Sequence, residues 1–90
     1  MLFRSQDDDK LLELAVAGIE QMTIAASVKS QAVSALQDRP LLQWFVLLQV
    51  KHDLRQAGLL VRGQAIDWEA IGDFIVKIAP IILEILMRFM

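Results

Sequence analysis

The residues able to do chemistry are few, and their spacing argues against most of it. Asp7, Asp8 and Asp9 stand in a row near the start of the chain, and His52 is the single histidine, flanked by Lys51 and Asp53. A calcium loop needs oxygen ligands at alternating positions, a central glycine and a closing glutamate. The pattern is not completed around Asp7 to Asp9, where leucines stand at the central glycine position and among the ligand positions. The three aspartates read instead as the first turn of a helix, where negative charge is favoured by the helix dipole. His52 has no Glu-x-x-His spacing around it, and cysteine is absent from the chain, which removes thiolate ligands, cysteine nucleophiles and disulfides together. Interior carboxylate pairs would suit acid–base catalysis or a bridged metal pair. Glu13, Glu20, Glu69, Asp73 and Glu84 fall on the polar sides of their segments. Neither a G-x-S-x-G serine signature nor a glycine-rich phosphate loop occurs. The reading is no enzyme, with no catalytic residue, metal, cofactor or small-molecule substrate expected.

Charge narrows the partners. Nine Lys and Arg residues are scattered singly from Arg4 to Arg88, against eleven Asp and Glu, for a net charge of −2. Phosphate neutralisation needs a cluster of basic residues, so nucleic acid is not an expected ligand. Hydrophobic residues make up 56% of the 90, and mean hydropathy is +0.46. A chain of this size buries only about 64% of the surface its unfolded form exposes. The excess apolar surface needs a subunit interface, a membrane or a cavity. A membrane span is disfavoured, because Lys77, Glu84 and Arg88 interrupt the most apolar stretch, 74–90. No secretory leader is read at the start, and with cysteine absent the expected location is cytoplasmic.

These residues have to be placed by helices. Between residues 11 and 37 there is no proline and one glycine, Gly18. Leu12, Ala15, Ile19, Met22, Ala26, Val33 and Leu36 recur at three-four spacing, interrupted by Lys29, which predicts one long helix over 8–37, started by Ser5 or Asp7 as cap. Ala26, Ser30 and Ser34 form a small-residue ridge that would admit a closely packed neighbour. Pro40 predicts a new helix over 40–57 with Asp38 as its cap. Its front half, Leu41 to Val50, is expected to be buried on most sides, with Trp44 and Phe45 in the core. Gly58 predicts a stop, with Leu59 or Leu60 folding back. Residues 58–66 are a connector turning at Gly63, and Asp67 predicts the cap of a third helix over 67–89 with a bend at Pro80.

The third helix carries two adjacent apolar seams. One is Ile71, Ile75, Ile78, Ile82, Ile85 and Phe89; the other is Gly72, Val76, Ala79, Leu83, Leu86 and Met90. Charges keep to a third line with Pro80. An ordinary surface helix has an apolar stripe little wider than 100°, so one seam is expected to meet the chain's own helices and the other a partner. The predicted fold is all-α: a single domain over 1–90 with a flexible 1–6, forming a three-helix unit within an oligomeric helical bundle. The predicted function is a non-enzymatic self-assembly or protein-interaction module, with a second copy or another helical protein as partner. The expected interface is Ile71, Ile75, Val76, Ile78, Ile82, Leu83, Ile85, Leu86, Phe89 and Met90. Two alternatives stand beside it: a membrane-active helical protein of toxin, bacteriocin-like or holin-like kind, and a structural subunit of a virion, filament or secretion assembly.

Overall fold

The computed structural model describes residues 6–61 and 63–89. All regular structure among them is helical: α1 (Gln6–Glu20), α2 (Ala26–Asp38), α3 (Pro40–Gln56) and α4 (Trp68–Arg88). The all-α prediction holds, but the number of helices is four. The segment predicted as one helix over 8–37 is two, broken at residues 21–25. Thr23 and Ile24 are adjacent β-branched residues of modest helix propensity, yet tertiary packing is the stronger cause. An unbroken helix of this length would run about 45 Å, beyond any partner in its own chain. The break turns α2 back so that Ala32, Ala35 and Leu36 reach the core. It is also well finished: Met22 N–H donates to the Ile19 carbonyl at 3.1 Å, and Lys29 Nζ donates to the Glu20 carbonyl at 2.9 Å. A cation thus sits at the negative end of α1.

The other helix ends are closed in comparable ways. Gln43, the buried polar residue of the core, donates from Nε2 to the Gln37 carbonyl at 2.8 Å, satisfying an end of α2 from within α3. Arg39, not Asp38, occupies the cap position of α3, with no side-chain cap bond, and Pro40 begins the helix as predicted. Asp38 is the last residue of α2 and accepts from Ser34 Oγ at 3.1 Å. At the far end of α3, Leu59 N–H donates to the Leu54 carbonyl and Gly58 N–H to the Arg55 carbonyl. This pair of bonds is the Schellman closure, and it requires the left-handed backbone that Gly58 supplies at φ 75°. Gly63, at φ 85°, turns the connector. Asp67 Oδ1 accepts from Ala70 N–H at 3.2 Å and starts α4. Gln6 is already helical and Asp7 stands inside the first turn of α1 rather than at its cap; the remainder of the segment predicted as a flexible 1–6, with the Ser5 cap, lies outside the described residues.

The core lies where α1 and α4 pack together, with α2 and α3 across their ends and sides. Leu11, Leu12, Ala15 and Ile19 of α1 meet Ile71, Ile75, Ile78, Ile82 and Leu86 of α4 within one buried cluster. Gly18 sets the approach: a Cβ there would stand 3.4 Å from the Ala79 Cβ. Small residues facing each other let two helix backbones come close. The predicted small ridge of α2 faces water instead; Ala32 and Ala35 are buried, whereas Ala26, Ser30 and Ser34 are exposed. Helix α4 continues through Pro80, which is exposed, so the carbonyl it leaves without a helical donor stands on the solvent side.

Two polar contacts tie the start of α1 to the rest. Lys51 Nζ lies 2.6 Å from Asp8 Oδ1, and Lys10 Nζ sits 5.1 Å from the ring centre of Trp68. On α4, Arg88 and Glu84 form the expected pair one turn apart at 3.0 Å.

Candidate interaction surface

Helix α4 buries one continuous sector, and that sector straddles both predicted seams. Ile71, Ile75, Ile78 and Ile82 of the first seam and Ala79 and Leu86 of the second are buried in the chain's own core. They are closed to a partner while the fold is intact. Leu83 and Ile85 are half-buried against the same core, and Met90 lies outside the described residues. Of the predicted interface residues, Val76 and Phe89 face outward, joined on α4 by Ile81 and Met87. The helix is apolar on more than one side, but no whole seam is left over.

The larger surplus is on α3. Leu42, Val46, Leu47, Val50 and Leu54 are buried along one face. On the opposite face Leu41 is 67% exposed, Leu48 48%, Trp44 42% and Phe45 41%. At 100° per residue these four fall within one narrow sector turned away from the core. The front half of α3 was expected to be buried on most sides; it is covered on one side only. Four helices of this length give α3 neighbours on its inner face and none on its outer one.

Phe89 joins this face from the end of α4. Its ring stacks on Phe45 with centroids 5.4 Å apart and planes 5° from parallel. Trp44 packs against Phe45 at 5.6 Å with a 60° tilt. Arg39 Nη1 reaches the Phe89 carbonyl at 3.4 Å, holding the end of α4 beside the start of α3. Asp38, Arg39, Pro40, Leu41, Leu42, Phe45 and Phe89 line a shallow groove of about 530 Å³ at this corner. With aromatic side chains of 150–250 Å² each, the exposed parts of Leu41, Trp44, Phe45, Leu48 and Phe89 amount to roughly 500 Å² of apolar surface. That is the size of the largest patch on an ordinary monomer, a patch that is often functional.

The surface offers contact and little chemistry. His52 is exposed on the polar back half of α3, and among the described residues no three His, Cys, Asp or Glu side chains gather as a metal site. No helix among the described residues is long and apolar enough to cross a membrane. The outward turn of Trp44 and Phe45 escaped the sequence reading because α3 is apolar on both faces through Val50, which leaves no polar stripe to mark the wet side. Comparison with protein-family models, with curated proteins and with solved structures finds no match to this chain.

Proposed function

We propose that this chain is a non-enzymatic helical interaction module that self-assembles, packing exposed apolar surface against a second copy of itself. The observation that carries the reading is the contiguous patch of Leu41, Trp44, Phe45, Leu48 and Phe89 on a fold whose core is otherwise closed. Large apolar side chains in water cost about 25 cal/mol for each Å² left exposed, and three aromatic rings clustered on one corner are the composition of an interface centre. A subunit role in a larger assembly draws on the same surface with a different protein as its cover. The decisive measurement is mass in solution without detergent. Light scattering behind size exclusion is expected to give twice the 10.2 kDa chain mass or a higher multiple. A stable single-chain mass overturns self-assembly.

One observation favours a second reading, binding to a lipid surface: Trp44 and Phe45 point outward as interfacial aromatics do. The net charge of −2 and the lack of a Lys/Arg-rich face speak against it. Flotation with vesicles of anionic and neutral phospholipid separates the two, since an interaction module stays at the bottom of the gradient.

A further inference from the structure

We infer that the outer face of α3 is where the second copy docks, and that the two α3 helices cross antiparallel about a two-fold axis passing between Trp44 and Phe45. This rests on the self-assembly reading and specifies its geometry.

Three observations on this face agree. The first is the symmetry of the patch itself. Leu41 and Leu48 lie equally far on either side of the midpoint between Trp44 and Phe45, three and a half residues each way. An antiparallel two-fold therefore sets Leu41 against the second copy's Leu48, and Trp44 against the second copy's Phe45. Every exposed large side chain of the face then meets one of the other copy, which is the self-complementarity an isologous interface demands.

The second is area. About 500 Å² of exposed apolar surface on each copy, covered mutually, gives roughly 1,000 Å² before the polar rim is added, the lower limit for a specific interface. Phe89 extends the patch on one side, stacked on Phe45, so the centre of the contact is aromatic and rigid.

The third is charge. Asp38 lines the groove at the front of the patch. Its neighbour Arg39 is turned to the Phe89 carbonyl, at the negative end of the α4 dipole. Beyond Leu48, the outer side of α3 continues with exposed His52 and Arg55. The front end therefore carries one charge of each sign, whereas the back end carries the exposed cation Arg55, about 16 Å from the midpoint at 1.5 Å per residue. Antiparallel crossing keeps the two Arg55 side chains at opposite ends of the contact. Parallel crossing would set Arg55 beside Arg55 of the other copy, with no carboxylate on the outer face there to offset the repulsion.

The chain contains no cysteine, so introduced thiols report geometry without background. An equimolar mixture of Leu41→Cys and Leu48→Cys chains is expected to form a disulfide-linked heterodimer on mild oxidation, in preference to either homodimer. Leu48→Asp is expected to weaken the dimer roughly thirty-fold or more while the far-ultraviolet helical signal stays unchanged. Leu41→Asp, at the most exposed site of the face, is a second variant for the same readout should Leu48→Asp lose helicity. A dimer that keeps its mass with both charges in place overturns this docking face and leaves self-assembly standing. Preferential Leu48→Cys homodimers overturn the antiparallel crossing. A wild-type chain that stays a monomer up to about 100 µM, a range in which weak interfaces of this size are populated, overturns both readings; flotation with vesicles by such a monomer would identify lipid as the cover.

Discussion

Helices α3 and α4 pose the same problem in sequence and solve it differently in space. Each has apolar residues on more than one side, and each has a run of large apolar side chains at helical spacing. On α4 the run Ile71, Ile75, Ile78, Ile82 is buried by α1 and its neighbours. On α3 the run Leu41, Trp44, Phe45, Leu48 stays in water. Periodicity marks a face that seeks cover; it does not say whose cover. What decides is the geometry of the remaining chain. Helix α1 is drawn onto α4 by Gly18 and Ala79, and none of the four described helices covers the outside of α3.

That comparison breaks most sharply under a buried charge. Ile75→Asp, in the centre of the α1–α4 contact, is expected to cost several kcal/mol, a large part of the about 5–10 kcal/mol that holds a domain of this size. Circular dichroism should then show helix loss at room temperature. Leu48→Asp on the other face should leave the urea midpoint of the monomer nearly unchanged. If both variants unfold alike, the two faces are not as different as their exposure says.

A milder version removes volume. Ile82→Ala is expected to destabilise by about 2–5 kcal/mol, and Leu41→Ala by no more than about 0.5 kcal/mol, both read by urea denaturation below the concentration at which copies associate. Next in size is the close approach that sets α1 on α4. Gly18→Val should lower stability by about 1–3 kcal/mol, since its branches must enter the space filled by Ala79 and Ile75. Gly18→Ala should be close to neutral, the gain in helix propensity of about 1 kcal/mol set against a contact at van der Waals distance. At the start of α4, Asp67→Ala should cost about 1 kcal/mol through the lost bond to Ala70 N–H.

Features with local causes were legible in the sequence. Pro40 starts a helix because its fixed φ and missing donor suit that position. Gly58 ends one because the Schellman closure needs a left-handed residue, and Asp67 caps one because a carboxylate reaches the free amides. Features with tertiary causes were hidden. Nothing between Gln21 and Ala25 is a proline or glycine, so the break between α1 and α2 has no local signal beyond the weak one of Thr23 and Ile24. It exists because Ala32, Ala35 and Leu36 gain burial by turning back. The interface residues divide the same way. The abundance of apolar surface on α4 could be read, but the sector α1 would take, and the exposure of Trp44 and Phe45, depend on packing that only the folded chain defines.

The contact of Arg39 with the Phe89 carbonyl closes a loop of 50 residues, and it has a consequence in time. The two halves of the aromatic corner are made at different moments of synthesis. At 5–20 residues per second, Phe89 follows Arg39 by about 2.5–10 seconds. During that interval the outer face of α3 lacks both its stacked ring and the helix that buries its inner side. Only a chain that has folded α4 into place presents the finished corner. Joining copies through it would let assembly select completed molecules over nascent ones.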